Sequence, residues 1–145
     1  MRYSAVVVAS GSGTRLNLPY NKMFYLFNNK TIIYRSVLPF LEDEECQQVI
    51  IVINPKEESI FSNIFNNQKI TYTYGGSLRG ISVYNGLKLV KERYVLIHDG
   101  ARPNLKKDLI ARIKKGLLNY NSVIPVIKSK DATMQNDKYI SDISL

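Results

Sequence analysis

A chain of 145 residues is close to the usual size of one folding domain, and a balance of 45% hydrophobic to 22% charged residues belongs to a globular protein, not to a disordered tail or a fibrous repeat. Twenty Lys plus Arg against twelve Asp plus Glu leave a net charge of +8, which favours anionic partners without choosing among them. The single cysteine, Cys46, excludes an internal disulfide framework; no apolar run nears the roughly 20 residues that cross a bilayer, and the stretch from Ala5 to Ala9 is shorter than a signal-peptide core, so a cytoplasmic protein is expected.

From the N-terminus, Tyr3 to Ala9 is a β-branched run that breaks into a Ser-Gly-Ser-Gly loop, the pattern of a strand buried on both faces. Helical spacing follows over Ile32 to Leu41, then an apolar strand over Gln48 to Ile53 and a helix over Glu57 to Phe65, where Ile60, Phe61, Ile64 and Phe65 are read as core contacts. Next come a strand over Ile70 to Tyr74, a helix over Gly80 to Val90 with Val83, Leu87 and Val90 on one face, and a strand over Tyr94 to His98. A helix over Leu105 to Leu118, aligning Leu109, Ile113 and Leu117, leads to a fifth strand over Ser122 to Val126. The polar stretch from Asp131 to Leu145 reads as the start of an extended hairpin or arm, and residues 1–145 as one domain. Such alternation predicts an α/β fold with a doubly wound, mostly parallel sheet, because right-handed crossovers need a helix-sized connection. Ligands then collect beyond the carboxyl ends of the strands, in loops starting near residues 9, 75 and 99.

Each of those loops carries groups suited to phosphate. In the first, Gly11 and Gly13 let the backbone come close to an anion, and Arg15 and Lys22 add two fixed charges. The loop is not a Walker A sequence, and Leu16 stands where the dinucleotide fingerprint needs its third glycine, so a tight strand-to-helix turn stays open as its explanation. The second, Gly75-Gly76-Ser-Leu-Arg-Gly-Ile-Ser82, places Arg79 and Ser82 near a helix start, where free amides favour anions; a glycine turn with a helix cap explains it about as well. In the third, Asp99 lies just past a strand end, well placed to hold Mg2+, with Arg102 three residues on to face a phosphate. His98 is the only histidine and is read as a packing residue, and no Ser/His/Asp or Cys/His machinery is expected.

Taken in order, ASGSGTRL with Lys22 downstream, GGSLRGISVYNGL and VLIHDGARP resemble the cytidylyltransferases that act on 2-C-methyl-D-erythritol 4-phosphate in isoprenoid precursor synthesis. The resemblance runs from Tyr3 to about Leu145 and implies the Rossmann-like fold of the nucleotide-diphospho-sugar transferases, with CTP and a polyol phosphate giving a CDP-polyol and pyrophosphate. It implies Arg15 and Lys22 as the cations that stabilise the transition state, and backbone wrapping of the nucleotide by Val8, Ala9, Ser10, Gly11 and Gly13. Gly76 and Ser82 would read the cytosine, Asp99 would bind nucleotide and Mg2+, and Arg102 and Thr133 would serve the acceptor. A homodimer through the arm is implied as well. The similar ribitol-5-phosphate cytidylyltransferases share much of the pattern, so that acceptor is the alternative.

Three departures from the family pattern stand out. Ser77 occupies the place of an acid after the glycine pair, Gln135 that of a lysine after Thr133-Met134, and the family's second half is absent. The last point leaves an inactive or partner-dependent nucleotide-binding fragment as a further alternative. The basic stretch from Lys88 to Lys115 invites a nucleic-acid reading, but its charges fall between core-facing positions and no aromatic interleaves with them on the last helix to stack bases. Neither nucleic acid nor membrane is expected as a partner.

Overall fold

A computed structural model describes residues 1–11 and 21–127, with the backbone of two short strands at 133–135 and 138–140. The chain divides into two compact units, Met1–Lys107 and Asp108–Leu145. The first is built on a four-stranded sheet of β1 (Tyr3–Val8), β4 (Cys46–Ile53), β5 (Ile70–Tyr74) and β6 (Tyr94–Asp99), in the order β5-β4-β1-β6 and parallel throughout. A small hairpin of β2 (Leu26–Phe27) and β3 (Lys30–Thr31) turns through Asn28 and Asn29, whose φ of 49° and 58° is the left-handed pair a tight hairpin turn needs. The crossover helices are α1 (Ile32–Leu41), α2 (Glu58–Ile64) and α3 (Arg79–Leu87).

The apolar runs of β1 and β4 are buried on both faces, as expected of the central strands of a covered parallel sheet, whereas the outer strands β5 and β6 are only partly buried. Val7 is in register with His98 and Ile51, and Ile51 with Tyr72; the ring of Phe40 from α1 meets His98, and Phe61 of α2 meets Tyr72, so α1 and α2 share that face. On the other face Val6, Ile50 and Val52 form a buried cluster that receives α3. Between β1 and β4 a buried polar pair, Ser4 and Gln48, satisfies itself by a 3.1 Å hydrogen bond.

α3 buries a different stripe from the one its spacing suggests. Ser82 and Gly86 are buried, Leu87 is exposed, and Val90 lies beyond the helix and packs on the valine cluster. The reason is close approach: a Cβ on Gly86 would sit 2.5 Å from Val6 Cγ1 and 3.0 Å from Val52 Cγ2, so the helix backbone itself lies against the sheet and its larger side chains stay at the flank. Phe61 of α2 and Phe65, which follows the helix, are buried as the sequence suggests, whereas Ile60 is exposed.

All but the first residue of α4 (Lys107–Leu117) belongs to the second unit; the helix buries Ile110, with Leu109, Ile113 and Leu117 half-buried. A Cβ on Gly116 would come 2.9 Å from Val123 Cγ2, which fixes the return of the chain after the helix. The strand expected over Ser122 to Val126 does not form: Pro125 has no amide to give to a ladder, and Ile124, Val126 and Ile127 are exposed. The polar stretch beyond holds an antiparallel hairpin of β7 (Thr133–Gln135) and β8 (Lys138–Ile140). Among the described residues no helix is long and apolar enough to cross a membrane.

Candidate functional site at the carboxyl rim of the sheet

The connection from β1 runs to β4 on one side and that from β5 to β6 on the other, so the crevice where strand order reverses lies at the carboxyl ends of β1 and β6. There Val8 is in register with Asp99. The turn after Asp99 is fixed from both sides. Gly100 donates its amide to the Val8 carbonyl at 2.9 Å and accepts the Ser36 hydroxyl of α1 at 2.7 Å; a Cβ on it would meet Ile33 Cδ1 at 2.8 Å and the Val8 carbonyl at 3.1 Å.

The first and second loops are joined by serine hydroxyls. Ser82 Oγ donates to the Leu78 carbonyl at 3.2 Å, accepts the Gly76 amide at 3.1 Å and lies 3.1 Å from Ser10 Oγ. A hydroxyl has one proton, so with that of Ser82 given to Leu78, Ser10 is the donor between the two serines. Ser82 thereby spends its hydrogen-bonding capacity inside the protein and is 2% exposed; it ties Gly76 to Ser10. Gly75 permits this contact, since a Cβ there would stand 2.2 Å from Ser10 Oγ.

Asn21 ties the first loop to Lys22. It is nearly buried, its Nδ2 donates to the Gly11 carbonyl at 2.9 Å and to Glu57 Oε1 at 3.1 Å, and its Oδ1 accepts the Met23 amide at 3.2 Å, capping the 3-10 turn Lys22–Phe24. Lys22, the first residue of that turn, is half-buried and has no ion-pair partner among the described residues. Gly13 and Arg15 lie outside the described residues, as does the side chain of Thr133.

Asp99 is the last residue of β6, one place earlier relative to the strand end than the sequence suggests, and is held by two guanidiniums. Arg79, the first residue of α3, donates from Nε and Nη2 to Oδ1 at 3.1 and 2.7 Å, and Arg102 Nε lies 3.1 Å from Oδ2. A single carboxylate at a strand end fits Mg2+, a cation commonly bound by one or two carboxylates with phosphates and waters as its other ligands. Among the described residues no group of three or more His, Cys, Asp or Glu gathers.

His98 is not part of the rim. Its side chain turns to the α1 face, where the ring meets Phe40 edge-on at 5.7 Å between centroids and Nε2 lies 3.0 Å from the Arg102 carbonyl. Burial holds its pKa below the usual histidine value, partly offset by the bond to that carbonyl. The folded protein therefore takes up this proton less readily than the unfolded chain. Stability is full above the ordinary histidine pKa and falls as pH drops through the lowered one. His98→Gln is expected to reduce that acid-side loss, read as the difference in urea midpoint between about pH 7.5 and about pH 5; an unchanged difference contradicts the assignment.

Ser10 to Ser82, Val8 to Gly100, and Arg79 to Asp99 thus link the three loops around one rim, with Gly11 and Lys22 joined through Asn21. Asn21 and Ser36 are the supports that sequence reading passes over. For Asn21 the available signal is a capping residue directly before the turn that carries Lys22; for Ser36 it is a small polar residue on the buried face of α1.

A parallel sheet in this order, glycine loops at its carboxyl rim and cations around the crevice define a protein of the Rossmann-like nucleotidyltransferase class. The chain belongs to the 2-C-methyl-D-erythritol 4-phosphate cytidylyltransferase family, whose sequence profile matches residues 3–143. It is 39% identical over 136 residues to the 2-C-methyl-D-erythritol 4-phosphate cytidylyltransferase of Geobacillus kaustophilus, covering 90% of this chain and 60% of that enzyme. With the enzyme of the same name from Clostridioides difficile it shares 37% over 138 residues, covering 91% and 54%. Among solved structures, the 4-diphosphocytidyl-2C-methyl-D-erythritol synthase of Anaerococcus prevotii superposes with a TM-score of 0.78 at 26% identity, covering 97% of this chain and 62% of that one. The chain spans roughly 60% of the length of such relatives.

Proposed function

We propose that the protein transfers a cytidylyl group from CTP to a polyol phosphate, with 2-C-methyl-D-erythritol 4-phosphate as the acceptor, giving a CDP-polyol and pyrophosphate. The observation that carries the reading is the linkage of the three loops into one rim at the switch point, with Lys22 next to Asn21, which bonds Gly11, and Asp99 in register with Val8. The choice of acceptor follows the names of the relatives.

An oxygen of the acceptor's phosphate attacks the α-phosphorus of CTP in line; the new P–O bond forms as the bond to the bridging oxygen breaks, and pyrophosphate leaves with that electron pair. Two anions must approach one another, and charge builds on the phosphoryl oxygens, so positioning and fixed cations supply most of the rate. Lys22 supplies such a cation, and Arg15 a second. The amides of the first loop receive phosphate, while Gly76, held by Ser82, lines the base. Arg102 serves the acceptor's phosphate, and Thr133 shapes the acceptor site. Asp99 would hold Mg2+ with the nucleotide's phosphates, where the ion neutralises charge on the triphosphate. The reading also places a homodimer contact on the arm at 131–145 and the protein in the cytoplasm.

Pyrophosphate release from CTP with each of the two polyol phosphates tests the reaction. Release with 2-C-methyl-D-erythritol 4-phosphate above that with ribitol 5-phosphate is expected. Faster release with ribitol 5-phosphate overturns the acceptor, and no release with either overturns catalysis by this chain.

A further inference from the structure

Both carboxylate oxygens of Asp99 are engaged by cations, Oδ1 by Arg79 through two donors and Oδ2 by Arg102. The cluster has two positive groups for one negative. Arg79 opens α3, which follows β5, while Asp99 closes β6; in the order β5-β4-β1-β6 the guanidinium reaches over the rim where the first loop leaves β1. A divalent cation needs the same oxygens that Arg79 holds, and it approaches a net positive cluster. The Arg79 side chain is 62% exposed, so its ion pair is screened and exchangeable, and a guanidinium has the fork geometry to take phosphate oxygens instead.

We propose that Arg79 is a positioning residue that makes cation binding at Asp99 conditional on a polyphosphate. While no phosphate is present it holds the carboxylate; when phosphates take its guanidinium, the carboxylate is released to the cation. The identity of the polyphosphate rests on the nucleotide reading above, but the clamp itself does not.

The test measures Mn2+ binding alone by electron paramagnetic resonance, and CTP binding in EDTA by thermal shift, on the full chain. Arg79→Gln is expected to tighten Mn2+ binding about fivefold and to weaken CTP binding by a similar factor. The tightening must vanish in the Asp99→Asn background, and Lys88→Gln, which removes an equal charge at the far end of α3, must change neither affinity. Arg79→Met repeats the comparison should the first variant melt early. Equal Mn2+ affinity in the parent and the Arg79 variants, equal tightening without Asp99, or an equal effect of Lys88→Gln overturns the clamp. If Mn2+ tightens as expected while CTP binds neither protein, the hold on Asp99 stands, its release by a nucleotide is overturned, and it is the nucleotide reading that fails.

Discussion

Lys22→Ala is expected to slow cytidylyl transfer by about 10²- to 10³-fold, equivalent to roughly 2.7 to 4 kcal/mol of transition-state stabilisation, with an unchanged melting temperature. The size of the effect follows from how the residue is held. Asn21 is nearly buried and bonded to Gly11, Glu57 and Met23, so the turn that begins at Lys22 is fixed to the first loop before any ligand arrives. With the turn fixed, only the Lys22 side chain has to settle as charge develops at phosphorus, and removing it leaves that charge to water. Because no ion pair among the described residues depends on Lys22, its loss should leave folding alone. Single-turnover rates at saturating CTP check the prediction; a rate within about threefold of the parent removes Lys22 from the chemical step.

The second large effect concerns stability. Gly86→Ala places a methyl group 2.5 Å from Val6 Cγ1 and 3.0 Å from Val52 Cγ2, in the buried cluster at the centre of the sheet. Two contributions oppose one another. Alanine is the better helix former by as much as about 1 kcal/mol, while overpacking a tight core costs about 1 to 3 kcal/mol. The clash falls on two β-branched side chains, each stiff at χ1 and buried, so overpacking wins. A net loss of up to about 2 kcal/mol should lower the melting temperature by up to several degrees. Val6→Ala combined with Gly86→Ala should cost less than the sum of the two single losses, because the new methyl fills part of the space the valine leaves. Stabilisation by Gly86→Ala alone would mean that α3 does not lie as close to the sheet as described.

How far the sequence discloses this arrangement depends on how local each signal is. α1 is legible to the residue: Thr31 caps it, and its apolar stripe of Ile33, Val37 and Phe40 is regular. β4 begins two residues earlier than its apolar run, because Cys46 already pairs with Tyr3 and the register then skips Gln47, and backbone pairing of this kind leaves no trace in side-chain pattern. The buried stripe of α3 is misread for a related reason. Periodicity weighs residues by hydrophobicity, so Val83 and Leu87 outrank Ser82 and Gly86, although small residues are what let a helix backbone reach a sheet. At Ser122 to Val126 the composition suggests a strand, and Pro125 prevails.

At the site, the residues that announce themselves are those with unusual backbone freedom or a charge beside a glycine: Gly11, Gly76, Asp99 and Arg102. Residues that hold them are less visible, because Asn21 to Glu57 and Arg79 to Asp99 are contacts across 36 and 20 residues of chain. Ser82 is a mixed case. Its position near a helix start marks it for a ligand, yet its hydroxyl is committed to Leu78, Gly76 and Ser10. The inference that a rim residue must touch the ligand skips the possibility that it organises residues that do.

The most direct test of the central reading is the thermal stability of the chain with CTP and Mg2+, set beside the same concentrations of ATP and Mg2+. CTP at about 100 times its dissociation constant should add about 2.7 kcal/mol and raise the melting temperature by several degrees, with a clearly smaller shift from ATP. An absent shift with CTP, or an equal one with ATP, would contradict a rim built around a cytidine nucleotide.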